Sequence, residues 1–320
     1  MTDMLSRCIT IVSPGLLTSV QDHGRFGWEE FGIPRGGVRD LYACVWANRL
    51  AANPPSSAVL EATLLGPTFI LSEPCWLATT GAQGVLVDGR ERPSWAGFWV
   101  DAGSTVAIPR TTGARAYLAI HGEIAIEPVL GSRSTDLESG FGGYQGRALA
   151  AGDVIPIRSA DAPAYSRREI LRHPHPPEPR YPLRVRAVQG PRDDDFPPEA
   201  YSRLATATFR VSSRSNHMGL RLDGEPILTM SRGTRISEPM PVGGVQVTPG
   251  GQPVVLLNAR GTIGGYPLIV TVCSTDLWQL GQARPGDDVQ FHLVSVGEAQ
   301  MVRREAYRDL QNVQPVIQRF

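Results

Sequence analysis

A pattern runs through this chain twice. GVLVDG begins at Gly84 and GLRLDG at Gly219, Ser-Thr-Asp-Leu stands at 134–137 and again at 274–277, and Gly152-Asp153 recurs as Gly286-Asp287. The three matches keep their order and lie 135, 140 and 134 residues apart, which marks a duplicated domain. Around them the chain consists of short apolar runs cut by glycine. Examples are STVAIP (104–109), RAYLAIHG (115–122) and DVIPI (153–157), then ATFRVSS (207–213), PLIVTV (267–272) and DVQFHLVS (288–295). Many short strands at regular spacing argue for barrels or sandwiches. Each copy is expected to be an antiparallel barrel, closed so that no long edge is left bare.

Between the copies, RREILRHPHPPEPRYP (167–182) carries five prolines, which suit neither a helix nor an inner strand. It reads as a stiff extended connector with His173 and His175 in solvent. The boundary falls near 178, giving domains 1–178 and 179–320. Helices are few. Asp40 is a plausible N-cap for LYACVWANRLAAN (41–53), which Asn53-Pro54 would stop, and a short helix is expected over 298–313.

At 320 residues and 42% hydrophobic, the chain can fill two cores. Its 31 basic and 31 acidic residues balance, which argues against general nucleic-acid or anionic-membrane binding. Every basic residue is arginine. A Schiff-base lysine, a phosphate-loop lysine and a biotinylated lysine are therefore excluded on this chain. Cys8, Cys44, Cys75 and Cys273 are scattered, neither a metal set nor a disulfide scaffold, so a reduced, cytoplasmic home is expected. The N-terminus lacks the apolar core of a signal peptide, and no apolar run reaches the roughly 20 residues of a membrane span. Of His23, His121 and His217 no two share metal-ligand spacing, and no nucleotide fingerprint is present, so no metal and no ATP site are expected here.

The stretch from Ser13 to Gly37, SPGLLTSVQDHGRFGWEEFGIPRGG, interleaves glycines with charges. Gln21, Asp22 and Arg25 there can orient an amide or carboxylate; equally, an Asp22–Arg25 salt bridge would pin a loop. Asp40 reads as a cap, or as part of an anion-holding helix start. Glu61, inside an apolar strand, needs a buried hydrogen bond or serves as a pocket carboxylate. Gln83 closes the segment 79–83 before the first copy of the repeat, and His217 lies in the counterpart segment 214–218 before the second. Asn258–Leu268 (NARGTIGGYPL) presents Arg260, Thr262, Gly264, Gly265 and Tyr266.

Five stretches resemble one family: SPGLLTSVQDHGRFGWEEFGIP, LEATLLGPT (60–68), VLGSRSTDLESGFGG (129–143), HMGLRL (217–222) and GGYP (264–267). The family is variously called allophanate hydrolase subunit 2, KipA-like, biotin-dependent carboxyltransferase or the 5-oxoprolinase C subunit. The resemblance implies a mainly β fold of two tandem cyclophilin-like antiparallel β-barrels with a few short helices. It implies a subunit of an ATP-dependent amide-handling enzyme that works on 5-oxoproline with a KipI-like protein and a lactam-hydrolase subunit. ATP would belong to the complex, with no cofactor bound by this chain alone. Asp22, Arg25 and Tyr266 would be catalytic, and Gln21, Asp40, Glu61, Gln83, His217, Arg260, Thr262, Gly264 and Gly265 would bind substrate. The alternatives are the carboxyltransferase component of a biotin-dependent urea-type carboxylase, biotin arriving on another chain; a non-catalytic KipI-binding regulator; or recruitment to other small-molecule chemistry. The chain departs from the family pattern at Asn216 and His217, where an acid and an arginine are usual. It departs again at Ala259, Gly261, Ile263 and Leu268, where polar groups are usual. The lost lysine at 268 weighs against carboxyl transfer, and the exchanges predict a drier pocket.

Overall fold

The recurring Gly-Asp dipeptides close the same turn twice. Gly152 and Gly286 both take positive φ, +89° and +94°, where a side chain would be strained. The carboxylate of Asp153 accepts from Ala150 N at 2.7 Å, and that of Asp287 accepts from Arg284 N at 2.7 Å. Gly152 N donates to Ile11 O and Gly286 N to Val211 O, both at 2.8 Å. In return Ile11 N donates to Asp153 O and Val211 N to Asp287 O. One local device thus pins one strand in each half, as duplication requires.

The computed structural model describes residues 7–158, 160–230 and 236–319, so the opening residues read for a leader lie outside the described residues. Two compact units emerge. The first holds the chain up to Arg25, Gly36–Glu178 and the segment from Val313; the second holds Phe26–Arg35 and Pro179–Asn312. Two segments therefore depart from a single division at 178. The C-terminal one does so because Val316–Arg319 pairs antiparallel with Glu169–Arg172.

The first unit spreads its strands over two sheets that share one core. The six-stranded sheet runs, in order, Val154–Pro156, Cys8–Ser13, Thr68–Leu71, Thr105–Ala107, Val85–Val87 and Arg90–Arg92. The seven-stranded sheet runs Leu17–Gln21, Val59–Thr63, Arg115–Ile120, Cys75–Thr80, Ala96–Val100, Glu169–Arg172 and Val316–Arg319. Alternation puts Ile9, Ile11, Phe69 and Leu71 of one sheet against Val20, Leu60, Leu77 and Leu118 of the other. Helix α1 (Leu41–Leu50) lies on the larger sheet. Asp40 caps it, its carboxylate accepting from Ala43 N at 2.9 Å. Gly97 lets the helix come close, for a Cβ there would lie 2.2 Å from Leu50 O. Trp76 Nε1 and Thr80 Oγ1 donate to carbonyls of the same helix, so Cys75–Thr80 is buried on both faces.

The second unit is a closed barrel of seven strands: Leu183–Gln189, Leu268–Val272, Gly244–Val247, Pro253–Leu256, Gly219–Asp223, Phe209–Val211 and Asp288–Leu293. Its neighbours pair antiparallel except at the seam, where Leu183–Ala187 and Val289–Leu293 run parallel. Val185, Leu222, Val245, Val255 and Phe291 fill it. Helices α2 (Pro198–Thr206), α3 (Leu277–Gly281) and α4 (Val296–Asn312) complete the unit.

The connector departs from expectation at one residue. His173 is not in solvent but 6% exposed, because the first part of the proline-rich connector becomes the strand Glu169–Arg172 and carries the histidine onto α1. Its ring lies 4.0 Å from the Trp46 ring, with Tyr42 and Trp95 alongside. Nδ1 accepts from His175 N at 3.0 Å, so Nε2 carries the proton and donates to Tyr42 OH at 2.9 Å. Burial, with positive charge on His175 and Arg49 adding to it, pulls the imidazole down to about 4. The unfolded chain then takes up this proton before the folded one. The contribution is full above the ordinary value near 6.5 and is lost as pH falls toward 4, at most about 3 kcal/mol. Urea unfolding followed by tryptophan fluorescence is expected to show this loss between pH 7.5 and 4.5, and His173→Phe should flatten it. Equal pH slopes for the two proteins would contradict the assignment.

Candidate functional site

The strand Leu17–Gln21 delivers Asp22 to the centre of a hydrogen-bond bracket. One carboxylate oxygen accepts from Gly24 N at 2.8 Å, Ser132 Oγ at 2.5 Å and Ser134 Oγ at 2.6 Å; the other accepts from Arg133 N at 2.6 Å. Asp22 N donates to Ser134 Oγ, and Asp22 O accepts from Val38 N. The carboxylate thus ties the glycine-rich stretch to the loop 132–134. A carboxylate that takes three donors on one oxygen and one on the other holds its neighbours in place.

Arg25 makes no ion pair with Asp22. Its Nη2 donates to Ser134 O at 2.5 Å and the guanidinium lies 4.6 Å from the centre of the Phe141 ring. Burial lowers its pKa, while Asp136 and, less strongly, Asp22 act in the opposite sense. Gln21 stands beside it and donates to Ser19 Oγ and Thr135 O at 3.0 and 3.1 Å. The structure therefore brings Gln21, Asp22 and Arg25 together around 132–136. It adds Asp136, which sequence reading used only as half of a repeat; the fold alone sets this acid beside the candidate arginine.

Asp40 and Glu61 share a different centre, the buried Tyr117 hydroxyl. It accepts from Asp40 N at 2.8 Å and donates to Glu61 Oε2 at 2.9 Å, which also accepts from Arg39 N. Burial, then Glu61 and Asp40, push the phenol well above its ordinary value, so it stays a donor. These bonds answer the question of the acid in an apolar strand: Glu61 is held structurally. Gln83 is exposed, its backbone N–H bonded to Arg110 O.

The remaining candidates lie in the second unit. Arg260 is 6% exposed and donates Nε to Met240 O at 2.6 Å; its Nη1 has no hydrogen-bond partner among the described residues. Burial lowers its pKa, Glu29 opposing and Arg35 reinforcing the shift, so Phe26–Arg35 supplies its charged surroundings. Thr262 O accepts from Met240 N, and Ile263–Gly264 pairs with Glu238–Pro239. Gly264, Gly265 and Tyr266 line a cleft of about 280 Å3, together with Leu268 and Met240. Two of the apolar exchanges divide here: Leu268 faces the cleft, whereas Ile263 is exposed to solvent. The cleft is less dry than the sequence suggests, because Arg192 and Glu238 also line it, paired at 2.8 Å. His217 is half-buried, in a turn whose Asn216 side chain accepts from Met218 N and Gly219 N. Among the described residues no cluster of three or more His, Cys, Asp or Glu could hold a metal ion, and no helix is long and apolar enough to cross a membrane.

Asp22→Asn would turn one acceptor oxygen into a donor facing donors. It is expected to cost about 3 kcal/mol, read as a lower urea midpoint at unchanged slope. Full stability with lost activity would instead show Asp22 to be a reacting group.

A family model described as the carboxyltransferase domain, subdomains A and B, matches residues 31–293. The chain is 34% identical to the C subunit of 5-oxoprolinase from Escherichia coli over 303 residues, covering 94% of this chain and 96% of that one. It is 32% identical to urea amidolyase of Saccharomyces cerevisiae, across 88% of this chain but 16% of that much longer protein. The crystal structure of the Kluyveromyces lactis urea amidolyase superposes with a TM-score of 0.89 at 27% identity, over 98% of this chain and 20% of that one.

Proposed function

We propose, from the premise that this chain belongs to the carboxyltransferase-domain family of subdomains A and B, that it serves as the C subunit of a 5-oxoprolinase-type assembly. In this reading the assembly uses ATP to open the lactam of 5-oxoproline. A KipI-like protein and a lactam-hydrolysing subunit accompany this one, in the reducing cytoplasm. The observation that carries the reading is end-to-end agreement with a protein named as that subunit, 94% of one chain against 96% of the other. Gln21 and Arg25 would meet the substrate, with Asp22 positioning them. Within the second unit, taken by itself, Arg260 and the Gly264–Tyr266 turn are the candidate polar groups, and Tyr266, about half exposed, is the candidate proton donor or acceptor.

A second reading is the carboxyltransferase component of a biotin-dependent carboxylase, favoured by the superposition on urea amidolyase. Biotin would have to arrive on another chain, since this one has no lysine to carry it.

Co-expression with the KipI-like and lactam-hydrolysing proteins, followed by assay of ATP-dependent 5-oxoproline hydrolysis, separates the two. Turnover is expected, and Tyr266→Phe should lower kcat about 100-fold without moving Tm, the scale of a lost proton-transfer group. A well-folded assembly inert toward 5-oxoproline, yet competent to carboxylate urea when a biotinylated carrier is supplied, would reverse the order of the readings.

A further inference from the structure

Three buried side chains of the first unit share unused hydrogen-bonding capacity. Gln21, Arg25 and Asp136 are 6%, 1% and 5% exposed. Gln21 Oε1, Arg25 Nε and Nη1, and Asp136 Oδ2 have no partner among the described residues. Their other atoms fix where these face. Gln21 binds Thr135 O and Arg25 binds Ser134 O, so both are tied to the two residues before Asp136. Asp136 Oδ1 accepts from Glu138 N and Ser139 N, which orients the carboxyl. Asp136 N donates to Phe141 O, and the Phe141 ring lies against Arg25. Gly36 and Gly142 border the guanidinium: a Cβ at 142 would stand 2.5 Å from Nη2, and one at 36 would stand 3.3 Å from Nη1.

Each buried polar group left unmade costs about 1–3 kcal/mol, so a fold keeps such a cluster where it has a use. The cluster has two kinds of open valence, N–H donors on Arg25 and oxygen acceptors on Asp136 and Gln21. Its charge is already balanced. Asp136 is the principal opposite charge beside Arg25 and Asp22 adds a second. A ligand carboxylate would bring a further negative charge into this buried group, and burying unbalanced charge is costly. A neutral edge bearing one C=O and one N–H would bring none and would use both kinds of valence.

We infer that Gln21, Arg25 and Asp136 form a subsite for the neutral edge of an amide, with its carbonyl on Arg25 and its N–H on Asp136 Oδ2 and Gln21 Oε1. This rests on the proposed function and narrows its substrate class to a lactam or urea-like group; the acidic end of such a substrate lies elsewhere.

The test is calorimetric binding to the co-expressed assembly, using 5-oxoproline and its lactone counterpart, in which the ring N–H is replaced by oxygen. The lactam is expected to bind at least about tenfold more tightly, the value of one hydrogen bond to a charged acceptor. Asp136→Asn keeps an oxygen for Glu138 N and Ser139 N while turning Oδ2 into a donor. It should weaken the lactam at least about tenfold and erase the preference over the lactone. Equal binding of lactam and lactone by the unaltered assembly would overturn the subsite, whether or not the variant folds, and leave the proposed function standing. Binding of neither compound by a folded assembly would remove both.

Discussion

The carboxylate of Asp22 is the constraint on which the first unit's candidate site depends. Four donors converge on two oxygens, from Gly24 on one side and Ser132, Arg133 and Ser134 on the other. Segments distant in sequence are thereby fixed to each other. Because Ser134, Thr135 and Asp136 follow directly, their carbonyls and carboxyl are presented to Arg25 and Gln21 in fixed geometry. A carboxylate that accepts from four donors is a good anchor.

Two buried arginines are kept in different electrostatic company. Arg25 lies beside Asp136 and Asp22, so its charge is met by acids within the same unit. Arg260 has one acid, Glu29, and a second cation, Arg35, as its charged neighbours. The first environment suits a neutral polar group. The second carries surplus positive charge and suits an anion.

What the sequence made legible was local. The strand runs, the cap at Asp40, and the twin turns at Gly152 and Gly286 each depend on residues within a few positions of one another. What it concealed was set by distant partners. His173 reads as solvent-facing among prolines until Glu169–Arg172 pairs with strands at 96–97 and 316–319 and drives it onto Trp46. Phe26–Arg35 reads as one piece with Gln21–Arg25, yet it belongs with the barrel of the second unit. Glu61 gave a true signal, an acid needing a partner, but the partner Tyr117 stands 56 residues away. Asp136 was visible only as a repeated letter, because nothing local distinguishes a turn-capping carboxylate from one with an oxygen left over.

If the open valences of Arg25 and Asp136 belong to a ligand, a crystal structure of the chain with 5-oxoproline bound reveals it most directly. The lactam carbonyl should lie within hydrogen-bond distance of Arg25 Nε or Nη1, with the ring N–H on Asp136 Oδ2. Ordered water on those same atoms, undisturbed while 5-oxoproline sits at another place, would show the cluster to be an internal hydration site.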